Sequence, residues 1–250
     1  MAAPLKGIRG WGLVAATGAV YFALAALGLR LTSELGYVSS LWPANGVLLA
    51  ALLKSPRRWW PALGALCWAA NVAASRMTLG AQLGGAAVLA LPSLVEVFLA
   101  LALLARFVGL GARWVNFGQA LRFVLLAAVA APLAAALLGA AIDHRLTGAP
   151  YLHSFFTWWA ADSIGILLVT PALLVFRRSF FQNLRNRQRV AEAVLLLTCL
   201  VTVASLVFSQ SMAPALPIAF LVVAPMLWAA VRFGVFTCAA SGLLTAMLAV

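Results

Sequence analysis

Apolar residues in this chain come in long unbroken runs, not in one-sided stripes, and polar residues gather between the runs. The first run, Trp11 to Leu31, is long enough to cross a bilayer, because about 20 helical residues cover a hydrocarbon core of roughly 30 Å. Its length and its closure by Arg30 predict an uncleaved span, not a signal peptide. A polar loop, Thr32 to Ser40, follows. The second run begins at Leu41-Trp42-Pro43-Ala44-Asn45-Gly46 and stops before Lys54. It is short for a span. Irregular backbone is therefore expected near Trp42 to Gly46, which membrane depth tolerates only where the backbone is buried or lines a cavity.

The pattern then repeats. Lys54 to Arg58 reads as an inner turn. The third span is Trp59 to Ala74, with Arg76 at its outer end. The fourth is Gln82 to Ala105, carrying Pro92 and Glu96. An inner segment, Arg106 to Arg122, reads as including a short interfacial helix. The fifth span is Leu121 to Ile142, followed by an outer loop from Asp143 through Pro150. The sixth opens at Trp158-Trp159-Ala160-Ala161-Asp162-Ser163-Ile164-Gly165 and runs past Pro171 to Phe176. The loop Arg177 to Arg189 is arginine-rich. The seventh span is Val190 to Phe208, with Pro214 and Pro217 in the turn beyond it. The eighth is Leu216 to Val231, and a ninth run fills Val235 to Val250. Pro92 and Pro171 read as kinks, which membrane helices tolerate. The expected fold is all-α: a polytopic transmembrane bundle of about eight spans plus a truncated ninth.

Composition agrees. The chain is 65% hydrophobic and 9% charged, against about 25% charged residues in soluble domains. The net charge of +12 does not point to nucleic acid, because the basic residues stand at the ends of runs. With the N-terminus inside, all of the 17 lysines and arginines except Arg30, Arg76 and Arg145 fall on the inner side. That is the positive-inside pattern and predicts a cytoplasmic N-terminus. The ninth run starts from the inner side, so at least one further span is expected beyond residue 250.

Cys67, Cys199 and Cys238 lie in apolar runs and read as small buried hydrophobes. His144 and His153 read as solvated loop residues, in no metal-binding spacing. No phosphate-binding loop, zinc-protease helix or serine-nucleophile motif occurs. No enzyme activity, metal or cofactor is expected of this chain.

The chemistry lies in four polar groups inside the runs: Asn45, Asn71, Glu96 and Asp162. An ionisable residue inside a span is costly and normally faces protein or a water-filled cavity. At about 1.5 Å per residue, Asn45 and Asp162 fall roughly 7 Å inside the outer boundary. Asn71 falls in the outer half, and Glu96 falls near or past the midplane. Trp158, Asp162 and Gly165 share one helix face, as do Trp68, Asn71 and Ser75, and Ser93 with Glu96. Tryptophan beside a carboxylate, above a glycine, suits the wall of a site for a small polar or cationic ligand. The structural alternative is that these groups only hold the bundle together, Asp162 pairing with Arg76 or Arg145. Trp42, Trp59 and Trp60 read as interfacial anchors ahead of ligand contacts.

Five segments taken in order resemble the signatures of the bacterial membrane-associated sensor domain of the first class, the MASE-one type. They are Leu41 to Gly46, Gly64 to Asn71, Pro92 to Glu96, Trp158 to Pro171 and Trp228 to Gly234. The similarity covers essentially the whole chain. Asn45 stands where that pattern more often has a small residue or serine. The resemblance implies an N-terminal sensory module of the bacterial inner membrane. Its own cytoplasmic output domain would be a histidine kinase or a GGDEF diguanylate cyclase, working as a homodimer. It marks Trp42, Pro43, Asn71, Glu96, Asp162 and Gly165 as recurrent positions. The expected sensing set is therefore Trp42, Asn45, Asn71, Glu96, Trp158, Asp162 and Gly165. The signal would be an unknown small ligand or a partner membrane protein. The rival readings are a small-solute transporter or substrate-binding membrane subunit, and a scaffold without ligand.

Overall fold

The computed structural model describes residues 7–32, 41–109, 117–175, 186–208 and 218–249, and among these every element is helical. Helices α1 (Gly7–Thr32), α2 (Ala44–Lys54) and α3 (Trp60–Leu79) come first, with a 3₁₀ turn at Arg57–Trp59 before α3. Next are α4 (Leu83–Leu89), α5 (Leu91–Phe107), α6 (Phe117–Phe123), a π-helical stretch at Val124–Ala130 and α7 (Ala131–Thr147). Then follow α8 (Tyr151–Val175), α9 (Arg187–Phe208), a 3₁₀ turn at Ile218–Val222, α10 (Val223–Phe233) and α11 (Val235–Leu248). Each apolar run of the sequence holds helix. Five stretches are long and apolar enough to cross a membrane: Gly10–Arg30, Leu83–Phe107, Phe117–Thr147, Tyr151–Val175 and Arg187–Phe208. Ala44–Lys54, Phe220–Phe233 and Val235–Leu248 are shorter apolar helices. The loop from 33 to 40, the expected interfacial helix around 110–116, most of the arginine-rich loop and the turn with Pro214 and Pro217 lie outside the described residues.

The chain forms two compact units, 1–170 and 171–250. At the centre of the first is α2, buried from Ala44 through Leu52. That explains why its sequence is apolar all round: a helix with no solvent or lipid face has no use for a polar stripe. Around it, α1 packs along α3, and α5 packs on α2 and α7. Gly18 lets Leu66 close onto α1, since a Cβ there would come within 2.5 Å of the leucine side chain. At the start of α1, the ring of Trp11 meets that of Trp59 edge-on, 5.1 Å between centroids.

Prolines shape the long helices. Pro92 stands in the first turn of α5, and the helix is interrupted at Ala90 just before it. A proline ring displaces the carbonyl four residues back and offers no N–H. Pro132 similarly follows the wide turns of Val124–Ala130, a common way for a helix to absorb such a defect. Pro171 sits inside α8 without ending it.

One boundary differs from the sequence reading. Asp143, His144 and Arg145, expected in an outer loop, belong to α7, which runs on to Thr147 and ends at Gly148 with φ 77°. His153 belongs to α8, which starts at Tyr151. The helix continues because Gly148 supplies the left-handed stop and Pro150 follows it. Both histidines remain exposed, as expected.

The second unit is built from α9, α10 and α11. Leu196, Leu200 and Ala204, one turn apart, bury one face of α9. Glu192 on α9 accepts hydrogen bonds from Trp228 Nε1 at 3.2 Å and from Arg232 Nη2 at 2.8 Å, both on α10. Gly234, with φ 87°, turns the chain between α10 and α11.

Candidate functional site

Two of the sequence segments singled out above pack directly against each other. Gly165 of α8 lies on the backbone of Trp42 and Pro43, so close that a Cβ at 165 would fall inside the Trp42 carbonyl. Gly46 meets the same helix one turn on: a Cβ there would lie 2.7 Å from Val169 Cβ and 2.8 Å from the Gly165 carbonyl. Trp42 N–H donates to the Ala161 carbonyl at 3.3 Å, and Thr170 Oγ1 donates to the Gly46 carbonyl at 3.1 Å. The first satisfies an N–H that the entry to α2 leaves without a helical partner; the second adds a donor to a carbonyl of the first turn and ties α8 to it. The irregular entry expected over Trp42 to Gly46 is confined to Trp42 and Pro43, because α2 already starts at Ala44, and it is held by α8.

A buried polar network grows from this joint. Asn45 Oδ1 accepts from Tyr21 Oη at 2.9 Å and from Trp42 Nε1 at 3.3 Å. Asn71 Nδ2 donates to Tyr21 Oη at 3.3 Å and to Ser93 Oγ at 3.4 Å. Helices α1, α2, α3 and α5 are tied together through these four contacts. Replacing Tyr21 with phenylalanine removes the central link while leaving Asn45 with Trp42 and Asn71 with Ser93. The expected loss is about 1 kcal/mol, read from reversible unfolding in mixed micelles.

Beside the network, the carboxyl groups of Glu96 and Asp162 lie within interaction range of one another. Glu96 is 0% exposed and Asp162 1%. Asn45 approaches Glu96 and Trp158 approaches Asp162. No oxygen of either carboxyl accepts a hydrogen bond of normal geometry among the described residues. Buried carboxyls normally have such partners. The pairing of Asp162 with Arg76 or Arg145 is not found: both arginines are exposed, and the ion pair observed among the described residues is Glu192 with Arg232.

A cavity of about 90 Å³ opens next to Asp162. Its polar wall comprises Trp42, Asn71, Ser75, Ser93, Asp143, Trp158 and Asp162, and its apolar wall includes Leu29, Leu79 and Leu89. One water needs roughly 10–15 Å³ of such space, so several waters or a small solute fit. Of the seven expected site residues, Trp42, Asn71, Trp158 and Asp162 line the cavity. Asn45 and Glu96 lie buried behind it, and Gly165 makes the joint. Trp42 is 8% exposed and lines this cavity, which does not suit an interfacial anchor. Asp162 stands eleven residues into α8, about 16 Å along the axis at 1.5 Å per residue. That is further from the helix start than the sequence reading placed it.

Two contributors escaped the sequence reading. Asp143, buried to 1%, accepts from Ser154 Oγ at 2.6 Å and from Thr147 Oγ1 at 3.2 Å. The Gly148 stop signal, read as the end of α7, would have placed it on a helix. Tyr21 was passed over as part of a long apolar run, although its hydroxyl needs a partner when buried. Gly139 of α7 has a plain role: a Cβ there would lie 2.7 Å from the ring of Trp158, so the glycine seats that tryptophan in the wall.

Comparisons with known proteins agree with the sequence pattern. The MASE1 family model matches residues 13–250. The chain is also 27% identical over 216 residues to the probable diguanylate cyclase DgcE of Escherichia coli (strain K12). That alignment covers 86% of this chain and 19% of the relative, so the chain spans about a fifth of that protein's length. No solved structure matches.

Proposed function

Given that the chain belongs to the MASE1 family of membrane-associated sensory domains, we propose that it detects a signal at the cavity beside Asp162 and relays it to a cytoplasmic output. The observation that carries this reading is the pair of adjacent buried carboxyls without hydrogen bonds of normal geometry, one of which, Asp162, borders a cavity. A purely structural carboxyl would be expected to be satisfied, as Asp143 is by Ser154 and Thr147.

Orientation follows from charge. In the first unit the cavity is lined from the end of α1, the start of α2, the end of α3 and the end of α7. Lys54, Arg57, Arg58, Arg106 and Arg122 stand at the opposite helix ends. The positive-inside rule then turns the cavity to the outer side and the basic end to the cytoplasm.

The output is proposed to be a diguanylate cyclase, by likeness to the relative named above, or a histidine kinase, acting as a homodimer. Helix α8 carries Asp162 in the first unit and continues through Pro171 into residues of the second. A signal that favours one packing of α8 on α2 over another would bias residues on both sides of Pro171. It does so only if it binds the two packings with different affinity.

The test uses the full-length protein in cells, with the output read as cyclic diguanylate or kinase phosphorylation. Asp162→Asn and Glu96→Gln are expected to abolish or lock the output at unchanged membrane levels. Their unfolding stability is expected to stay equal or rise by about 1 kcal/mol, because residues held for function commonly cost stability. A normal response in both variants would refute the sensory role. Lowered stability with intact signalling would identify a scaffold, and solute flux across proteoliposomes would favour a transporter.

A further inference from the structure

We infer that the signal held at this cavity is a small organic ammonium ion; this rests on the sensory reading above and names the chemical class of its ligand. Three observations converge. First, three carboxyl groups, Glu96, Asp143 and Asp162, gather in or behind one cavity wall and are 0–1% exposed. No lysine, arginine or histidine among the described residues lines that cavity. In a chain of net charge +12 with five acidic residues, this gathers three of those five around one cavity.

Second, the carboxyls differ in their bonding. Asp143 is satisfied by Ser154 and Thr147. Asp162 lines the cavity with both oxygens free of hydrogen-bond partners. Both oxygens are covered in this structure, so a ligand reaches these uncommitted acceptors once the Asp162 side chain turns from Glu96 toward the cavity. An ammonium group offers N–H donors and positive charge together, and charge-assisted bonds of that kind are about twice as strong as neutral ones.

Third, the remaining wall selects among cations. Trp42 and Trp158 border the same space, and indole faces attract alkylammonium groups. Leu29, Leu79 and Leu89 offer an apolar surface for a short carbon chain. The carboxyls do not come close enough together, among the described residues, to form a metal-ligating group of three. A volume of about 90 Å³ admits an ammonium ion with a few carbons and excludes large quaternary ions. A ligand of three heavy atoms binds no tighter than about millimolar, given the ceiling near 1.5 kcal/mol per atom.

The experiment is a thermal-unfolding titration of the full-length protein in lipid nanodiscs at fixed pH and ionic strength. Ethylammonium chloride is the probe, potassium chloride the ionic control and ethanol the uncharged counterpart. Ligand that binds only the folded state raises the midpoint in a saturable way. The expected result is such a rise with ethylammonium alone, half-saturating in the millimolar range. Asp162→Asn should raise the half-saturating concentration at least tenfold. Ser75→Leu narrows the cavity and keeps every carboxyl, so it should act in the same direction even if the Asp162 variant fails to fold. Equal stabilisation by potassium, or no stabilisation by ethylammonium, would overturn the ammonium assignment, as would unchanged half-saturation in both variants. If ethylammonium does not bind while Asp162→Asn still alters the output, only the ligand class falls. If the output is normal in both carboxyl variants, the sensory reading falls and takes this inference with it.

Discussion

Replacing Gly165 with alanine is expected to destabilise the protein by about 3 kcal/mol, the upper end of what overpacking usually costs. The new methyl would fall on the Trp42 carbonyl and within 3.1 Å of Pro43 Cα. These are backbone atoms, and no rotamer change moves them away. Relief requires α8 to separate from the entry of α2. That separation would stretch the bonds from Trp42 N–H to Ala161 and from Thr170 to Gly46. Gly46→Ala should behave similarly, because it meets Val169 and the Gly165 carbonyl from the other side. Gly12→Ala is the control. It lies within α1 with open space around it, and alanine there should stabilise the helix by up to about 1 kcal/mol. Equilibrium unfolding of the three variants in the same detergent mixture checks the order. A Gly165→Ala protein as stable as the parent would mean that the two helices do not touch as described.

Asn45→Ala should cost about 2–3 kcal/mol. The side chain is 0% exposed, and its oxygen receives two donors, Tyr21 Oη and Trp42 Nε1. Removing it takes the acceptor from both donors at a buried site, and each unsatisfied buried group costs about 1–3 kcal/mol. Interhelical bonds in membranes are worth somewhat less on average, so the lower half of the summed range is the reasonable expectation. Asn45→Asp separates hydrogen bonding from charge. It keeps the acceptor for Tyr21 and Trp42 but places another carboxyl next to Glu96. If the hydrogen bonds alone matter, this variant should be as stable as the parent. If the adjacent carboxyls matter as well, it should fall toward the alanine variant.

The legible parts of the sequence were those governed by transfer energy. Long apolar runs predicted helices, and each run holds helix, two of them broken or widened next to a proline. The cost of burying Glu96, Asp162, Asn45 and Asn71 marked them as inward-facing, and all four are buried together in the first unit. The less legible parts depended on contacts between runs. Nothing local to Trp42 says that its backbone is satisfied by Ala161, more than a hundred residues later. Tyr21 is apolar enough to merge with its neighbours, so its bridging hydroxyl appears only once α2 and α3 are placed beside it. Asp143 was assigned to a loop because polar residues follow it, although Gly148 and Pro150 were the stronger stop signals. The hydropathy of α2 suggested a shortened span. Its burial from Ala44 through Leu52 adds that it is the central post of the first unit.

The wide-turned stretch Val124–Ala130 sets an angular offset for everything after it. A π-helical turn takes up one more residue than an α-turn would take to the same place, and one residue corresponds to about 100° around a helix. Gly139, which seats Trp158, and Asp143, which lines the cavity, both lie downstream on the same continuous helix. Their aim toward α8 is therefore fixed by a slip in phase that occurs well before them. Shortening the stretch by one residue would restore an ordinary helix locally and rotate both residues off their targets. Length, and not only side-chain identity, thus sets the geometry of this part of the chain: the wall of the cavity is indexed from a point roughly three and a half turns away from it.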